Sequence, residues 1–159
     1  MPGWSQRLRT RWQRTLADVQ DRIVFVPRLR KDDYLNLISL ADVMLDTVHF
    51  NGMNTSLEAF AVGTPAVTLP ASFQRGRHTQ AMYRRMGLAD LIAGDADSYV
   101  EQAVRLANDA AHRAEISRRI SANSAVLFED ANVVREFERF FMAAVQEAEA
   151  ARAAAGNRC

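Results

Sequence analysis

Four short apolar runs alternate with longer amphipathic segments along the chain, and this alternation constrains the possible folds more than any other feature. The runs are three to five residues long and rich in β-branched and apolar residues, as buried strands are. The segments between them repeat their apolar residues every three or four positions, as helices do. Because this alternation is typical of parallel sheets covered by helices, the sequence predicts an α/β fold, a Rossmann-like three-layer parallel sheet.

Prolines, glycines and the periodicity of apolar positions set the expected bounds of each element. We predict strands at residues 23–27, 42–46, 66–69 and 91–93. We predict helices at residues 4–20, 31–40, 54–62, 79–86, 97–108, 111–124 and 130–150. One domain accounts for residues 1–147, and the alanine-rich residues 148–159, which lack an apolar stripe, are expected to fray. Four strands are few, and the chain opens on a helix that leads into a strand, so we expect half of a larger doubly wound protein.

The charge and the cysteine content exclude several classes of protein. The formal net charge of +1 gives no bulk field that favours nucleic acid or an anionic membrane. The single cysteine, Cys159, leaves no disulfide or cysteine metal site within the chain, and the histidines His49, His78 and His112 match no metal-ligand spacing. No apolar run approaches the ~20 residues of a membrane span. We therefore expect a cytoplasmic protein without a bound metal.

The loop that follows the second predicted strand carries the best candidates for ligand binding. In open parallel sheets, ligands bind beyond the carboxyl ends of the strands, and this loop enters a helix there. A helix start offers unpaired N–H groups and a partial positive charge, which suits phosphate. Gly52 permits close approach of a ligand to the backbone, and Thr55 and Ser56 add hydroxyl donors. Glu58, about one turn later, is placed to accept both hydroxyls of a ribose.

Simpler interpretations of the same residues remain open. Thr55 and Glu58 also have the spacing of a capping box, in which a hydroxyl and a carboxylate satisfy the helix's own N–H groups. Asn51 and Gly52 form a dipeptide that marks many turns. His49 lies in the same loop, where it either contacts phosphate or is a solvated loop residue.

A basic loop, residues 73–78, follows the third predicted strand and is expected on the same side of the sheet. Its Arg75 and Arg77 are candidates to neutralise the charge of a diphosphate at this edge of the sheet. The alternative is that these arginines pair with nearby acids at the surface.

Two aspartates flank the second predicted strand. Asp42 begins the strand and Asp46 ends it, about 13 Å apart by strand rise, so they do not form one catalytic pair. Asp46, at the carboxyl end, is expected to line the cleft.

Together these motifs resemble a known family. The stretch 40–47 (LADVMLDT) is followed, in order, by Asn51, Gly52, Thr55, Glu58, Gly63, Thr64, Pro65, Val67 and Thr68. The set is similar to the C-terminal domain of the catalytic region of O-linked N-acetylglucosamine transferases and of their plant and bacterial SPINDLY-like relatives. The similarity runs without gaps from Arg22 to Gly87 and more loosely to Phe141.

The resemblance implies the C-terminal half of a GT-B glycosyltransferase, in which two Rossmann-like domains face a cleft and the C-terminal one holds the sugar donor. It implies that Asn54 and Thr55 match the threonine pair that binds the donor diphosphate, and that Glu58 matches the acid on the ribose. By the same resemblance, Lys31 matches a lysine beside the nucleobase and Arg77 matches an arginine near the cleft.

Several positions depart from the family pattern and bear on the nucleobase. Met53 stands for a histidine, Asn54 for the first threonine, Tyr34 for a histidine and Leu37 for an arginine. A UDP-sugar is the favoured donor and a GDP-sugar the alternative, and the resemblance implies a metal-independent reaction with no other cofactor.

The resemblance further implies an inverting transferase that moves N-acetylglucosamine or a related sugar to protein hydroxyls. The implied partners are a nucleotide sugar, a protein acceptor and an N-terminal GT-B domain supplied in cis or in trans. Without that domain the isolated chain is expected to be inactive. Two alternatives stay open: a non-catalytic or split docking module that needs a partner with the acceptor domain, and part of a GT-B nucleotide-sugar epimerase.

Overall fold

The computed structural model describes residues 2–156 of the 159-residue chain. Two compact units make up the chain, Met1–Asn36 and Leu37–Cys159, and helix α2 (Lys31–Ser39) crosses from the first into the second. The last residues of the predicted frayed tail, 157–159, lie outside the described part of the chain.

The first unit contains helix α1 (Pro2–Thr15) and a 3₁₀ turn (Gln20–Arg22). The ring of Trp12 stacks on that of Phe25 with their centroids 5.5 Å apart. The guanidinium of Arg9 lies 4.9 Å from the centroid of the same Phe25 ring. An aromatic pair with one cation over it therefore holds α1 to the segment that follows it.

The strand predicted at residues 23–27 is wrong, because residues 23–30 adopt no regular structure. The side chains of Val24 and Val26 are 79% and 50% exposed, so the β-branched residues of this run do not enter a core. A strand needs a neighbour for its backbone hydrogen bonds. Within the described residues of the first unit, no other strand supplies one.

The second unit holds a small parallel sheet, which the sequence predicts. Strand β1 (Met44–Leu45) pairs in parallel with strand β2 (Ala66–Val67), and Met44 lies opposite Ala66. The N–H of Met44 donates to the carbonyl of Pro65 at 2.8 Å. Both strands are shorter than predicted.

The fourth predicted strand, residues 91–93, contributes a single parallel bridge between Thr68 and Ile92. The phenol of Tyr83 explains why the ladder stops there. It accepts a hydrogen bond from the N–H of Ala66 at 3.0 Å and donates one to the Ala66 carbonyl at 2.8 Å. Because Ala66 and Thr68 are two residues apart, their backbone groups face the same side of β2, and the phenol occupies the next position of the ladder. Burial raises the pKa of Tyr83, which keeps the hydroxyl protonated as a donor.

Four helices of the second unit follow their predicted bounds to within one residue: α3 (Asn54–Ala61), α4 (His78–Arg85), α5 (Ala96–Asn108) and α6 (Ala110–Asn123). Two of them begin at an aspartate cap. Asp95 accepts from the Ser98 N–H at 2.8 Å before α5, and Asp109 accepts from the His112 N–H at 2.9 Å before α6. The core lies between helices and sheet, and its largest fully buried side chains include Phe60, Val67, Tyr83, Leu106 and Ile120.

Helix α7 (Ala131–Gly156) is the longest element, and all its described side chains, residues 131–153, are exposed. Its apolar face consists of side chains that are 49–65% exposed: Val133, Phe137, Phe140, Phe141 and Val145. The helix continues through residues 148–156, where the sequence predicts fraying. Among residues 2–156, no helix is both long and apolar enough to cross a membrane.

Candidate functional site

Residues 47–53 lead from Asp46, at the carboxyl end of β1, into α3, and we name them the donor loop after the sugar donor that the resemblance implies. The side-chain amide of Asn51 donates to the carbonyl of Thr47 at 2.7 Å, and the Thr47 hydroxyl donates to the carbonyl of Phe50. Asn51 is only 2% exposed. The donor loop is therefore folded around a buried amide that bonds its own backbone.

The first turn of α3 has no side-chain cap. Its cap residue is Met53, which makes no side-chain hydrogen bond to the helix. The helical ladder starts with the N–H of Leu57, which donates to the Met53 carbonyl at 3.1 Å, so the N–H groups of residues 54–56 precede it. Thr55 is the second helical residue and not the cap, so the capping-box interpretation of Thr55 and Glu58 is wrong.

The backbone carbonyl of Gly52 is close to two side-chain hydroxyls, one from Ser56 and one from Thr79. Those of Ser56 and Thr79 lie 3.1 and 3.3 Å from the Gly52 carbonyl oxygen, and 2.8 Å from each other. Ser56 is fully buried and its hydroxyl is engaged within the fold, so neither its hydroxyl, which the sequence predicts as a donor to a ligand, nor its backbone N–H is accessible to one. A Cβ on Gly52 would lie 2.3 Å from the Thr55 hydroxyl oxygen and 2.9 Å from that of the buried Ser56, so a larger residue there would displace both hydroxyls.

The basic loop, residues 73–78, contacts the donor loop directly. The backbone N–H of Asn51 donates to the carbonyl of Arg75 at 2.7 Å. Gly76 is buried, and a Cβ there would lie 3.2 Å from the carbonyl oxygen of Val48. The structure thus brings together the two segments that the sequence predicts at one edge of the sheet.

Both candidate arginines of the basic loop are exposed. The guanidinium of Arg75 lies 4.6 Å from the centroid of the Phe73 ring. Across residues 2–156, neither Arg75 nor Arg77 forms an ion pair with an acid. The alternative that these arginines pair with nearby acids at the surface is therefore wrong for this structure, and their charges face solvent.

The other candidates of the donor loop and of α3 differ in exposure. His49, Asn54 and Thr55 are exposed, and Glu58 is half-buried. Glu58 follows Asn54 by four residues in α3, so the two lie on one side of the helix, one turn apart. The exposed start of α3 therefore carries polar side chains beside the N–H groups that precede the helical ladder.

Asp46, expected to line the cleft, is instead buried at 3% exposure. Its Oδ1 accepts from the N–H of Gly52 and its Oδ2 from the hydroxyl of Thr68, both at 2.8 Å. Its carbonyl accepts from the Tyr99 hydroxyl at 2.9 Å, and burial, followed by the charge of Asp46, raises the pKa of Tyr99. The sequence analysis missed two contacts of Gly52, that of its N–H with Asp46 and that of its carbonyl with Thr79. The signal for the first is an acid at the end of a strand, followed six positions later by glycine.

Lys31 belongs to the first unit, where it is the exposed first residue of α2. Its predicted role beside the nucleobase stays a prediction.

Comparison with known proteins decides the family. The family model described as glycosyl transferase family 41 matches residues 4–136. The chain belongs to this family. It is 34% identical over 110 residues to a UDP-N-acetylglucosamine--peptide N-acetylglucosaminyltransferase of Caenorhabditis elegans, a match that covers 68% of this chain and 10% of that protein. It is 35% identical over 81 residues to a probable SPINDLY enzyme of Solanum lycopersicum, which covers 51% of this chain and 9% of that protein.

A solved structure of a mutant O-GlcNAc transferase from Thermobaculum terrenum is also similar to this family 41 chain, with a TM-score of 0.75 and 28% identity. The match covers 88% of this chain and 29% of the other. The chain thus spans about a tenth of the length of the curated relatives that it matches. The resemblance to O-linked N-acetylglucosamine transferases and SPINDLY proteins is confirmed, and the family match gives no support to the epimerase alternative.

Proposed function

We propose that this family 41 chain is the donor-binding half of an inverting glycosyltransferase of the GT-B type, one of its two Rossmann-like domains. The proposed reaction moves N-acetylglucosamine or a related sugar from a nucleoside diphosphate to a protein hydroxyl. The observation that carries the proposal is that the loop leading into the uncapped start of α3 contacts a basic loop whose arginines form no ion pair among the described residues. A helix start and arginines together form a site for an anion with more than one charge.

The donor diphosphate binds, in this proposal, at the start of α3. The N–H groups of the exposed residues Asn54 and Thr55 precede the helical ladder, and the helix dipole adds about half a positive charge there. The amide of Asn54 and the hydroxyl of Thr55 are exposed beside them and donate to phosphate oxygens. His49 is exposed in the donor loop and is a further donor to phosphate.

Arg75 and Arg77 supply charge to the leaving group. Negative charge builds on the diphosphate as its bond to the anomeric carbon of the sugar breaks, and a fixed cation beside it lowers the barrier. The acceptor hydroxyl attacks the anomeric carbon from the opposite face, so its configuration inverts. As the resemblance implies, the proposed reaction is independent of metal, and the two guanidinium groups and the helix start provide positive charge in its place.

Glu58 holds the ribose of the donor. It lies one turn beyond Asn54 and is half-buried, so its carboxylate is partly shielded from water. Its two oxygens accept from the two neighbouring ribose hydroxyls while the phosphates occupy the helix start. UDP is the favoured nucleotide and GDP the alternative.

The acceptor protein and the base that removes its proton are assigned to an N-terminal GT-B domain, in cis or in trans. We therefore expect the chain by itself to bind nucleotide without transferring sugar. Because the chain is proposed to bind the donor without catalysing transfer, nucleotide binding is the property to measure.

Calorimetric titration with UDP and with GDP tests the proposal. We expect dissociation constants in the micromolar-to-millimolar range for at least one nucleotide, and loss of binding in Glu58→Ala. Glu138→Ala, which removes an exposed carboxylate from α7, is the matched control and is expected to bind normally. No heat with either nucleotide at millimolar concentration contradicts the proposal.

Docking without catalysis is a second candidate function, and the exposed apolar face of α7 favours it. A docking module needs the same partner domain but not the nucleotide. The titration separates the two functions, since a module of this kind binds neither UDP nor GDP.

A further inference from the structure

Gly52 is fixed at both of its backbone groups. Its N–H donates to Oδ1 of Asp46 at 2.8 Å, and its carbonyl oxygen accepts from the hydroxyls of Ser56 and Thr79. Asp46 directly follows β1 and Thr79 lies in the first turn of α4, so separate elements of the fold hold the two peptide groups on either side of the Gly52 Cα. The next residue, Met53, is the cap of α3. The orientation of Gly52 therefore sets the direction of the first N–H groups of α3.

We infer that Asp46 is a positioning residue for the nucleotide: it holds Gly52 so that the N–H groups of the exposed residues Asn54 and Thr55 face the diphosphate. Asp46 itself is 3% exposed and acts through the backbone that it orients. This inference rests on the proposed function of the donor loop.

The chemistry of Asp46 favours positioning over simple packing. Burial of a carboxylate is unfavourable unless its oxygens are hydrogen-bonded, and in the described part of the chain Asp46 has no ion-pair partner. Both oxygens accept from neutral donors, the Gly52 N–H and the Thr68 hydroxyl. Because a carboxylate only accepts, it fixes the orientation of both donors. One side chain thereby joins the end of β1, the donor loop and the residue after β2.

Charge and geometry have opposite effects on an anionic ligand. The negative charge of Asp46 by itself repels a diphosphate, so removal of the charge alone does not weaken binding. Removal of the hydrogen-bond acceptor frees the Gly52 peptide and weakens binding. Two substitutions at one position therefore distinguish the two effects.

Asp46→Asn keeps the geometry without the charge. The carbonyl oxygen of asparagine accepts from the Gly52 N–H, and its amide donates to the Thr68 hydroxyl, which accepts as well as donates. Asp46→Ala removes both acceptors. We expect the alanine variant to bind nucleotide about tenfold more weakly or worse, and the asparagine variant to stay within about threefold of the unchanged chain.

Two buried threonines give a matched pair on the carbonyl side of Gly52. Thr79 donates to the Gly52 carbonyl, whereas Thr64 donates to the carbonyl of Ile38 at 2.9 Å, before the amino end of β2. Each exchange of threonine for valine removes one buried hydroxyl and keeps the shape of the side chain. We expect Thr79→Val to weaken nucleotide binding about fivefold or more. Thr64→Val lowers stability as well but leaves the affinity unchanged.

The test titrates UDP and GDP into the full chain and into Asp46→Ala, Asp46→Asn, Thr79→Val and Thr64→Val, after thermal unfolding has shown that each is folded. Weak binding by Asp46→Ala and Thr79→Val, with near-normal binding by the other two, supports the inference. Unchanged affinity in Asp46→Ala, or an equal loss in both Asp46 variants, overturns it while the nucleotide-binding proposal stands.

The remaining outcomes are also decisive. If the unchanged chain binds neither nucleotide, the proposed function fails and the inference fails with it. If Asp46→Ala does not fold, the threonine pair decides: an equal affinity of Thr79→Val and Thr64→Val overturns the positioning of Gly52, and a selective loss in Thr79→Val supports it.

Discussion

The backbone N–H of Asn51 donates to the carbonyl of Arg75 across 2.7 Å, and this bond joins the donor loop to the basic loop. The two loops follow different strands, and they meet because the carboxyl ends of the parallel strands β1 and β2 lie at the same edge. The start of α3 and two unpaired arginines therefore share one edge of the second unit. A substitution in either loop is expected to affect both.

Gly76→Ala is expected to force the two loops apart. The added Cβ would lie 2.6 Å from the Cβ of Ala71 and 3.2 Å from the Val48 carbonyl oxygen, so the backbone must shift. We expect a loss of about 1–3 kcal/mol in the free energy of unfolding, as for overpacked interiors, and weaker nucleotide binding. Urea denaturation and calorimetric titration measure the two effects. The control is Gly94→Ala, whose Cβ would have no described atom within 4 Å; equal stability of the two variants would refute the prediction.

Arg77→Ala is expected to weaken nucleotide binding about tenfold, because a hydrogen bond to a charged group contributes about 1.5–3 kcal/mol. Arg75→Ala is expected to act in the same direction. The matched control is Arg135→Ala, which removes an exposed arginine from α7. Titrations at low and high ionic strength measure the effect, and the difference between Arg77→Ala and the unchanged chain should shrink as salt screens the charge. An unchanged dissociation constant in Arg77→Ala at low salt places this arginine outside the site.

Asp90→Asn is expected to lower stability at neutral pH and to matter less in acid. Arg119 donates two hydrogen bonds to Asp90, at 3.0 and 2.9 Å, and these hold the pKa of Asp90 below its usual range. A carboxyl with a lowered folded pKa contributes stability that is present above its unfolded pKa of about 3.9 and lost as pH falls through the folded pKa. For a partly exposed pair we expect less than about 1 kcal/mol at pH 7.

Urea denaturation of both chains between about pH 7 and pH 2 checks this dependence. The difference in unfolding free energy should diminish towards the acid end. A difference that persists undiminished there shows that the stabilisation does not come from the ionised carboxylate.

The isolated chain is expected to self-associate through the apolar face of α7. Phe137 and Phe141 lie one turn apart with their ring centroids at 6.1 Å, and they are 58% and 59% exposed. Contiguous apolar surface of this kind is uncommon on monomers. Sedimentation velocity should show mass increasing with concentration, and the double substitution of glutamate for Phe137 and Phe141 should remove the effect. Glu147→Gln serves as a surface control on the same helix; a chain that stays monomeric at every concentration rules the prediction out.

The helices could be predicted because their signals are local. Asp95 and Asp109 begin α5 and α6 by bonds to N–H groups three residues away. A strand depends on a partner that its own residues do not specify. Residues 23–27 have the composition of a strand without a neighbour, and residues 91–93 stop at one bridge because the Tyr83 phenol takes the next position.

The proximity of the donor loop and the basic loop could likewise be predicted, because both follow strands of one parallel sheet. The direction of individual side chains could not. Asp46 turns inward to Thr68, 22 residues away, and Ser56 turns to Thr79, 23 residues away. Contacts over such separations exist only after the sheet and α4 have packed, so no local sequence pattern predicts them.

Tyr83 anchors α4 to the sheet through both backbone groups of Ala66. The helix cannot roll about its axis without leaving these two buried groups unpaired, and such groups are costly to leave unpaired. Arg77 and Thr79 stand at the start of this same helix, so the bonds between Tyr83 and β2 also restrict the movement of these two residues. A nucleotide that reaches this edge would meet groups already preorganised, and its affinity would lose little to the entropy of ordering them.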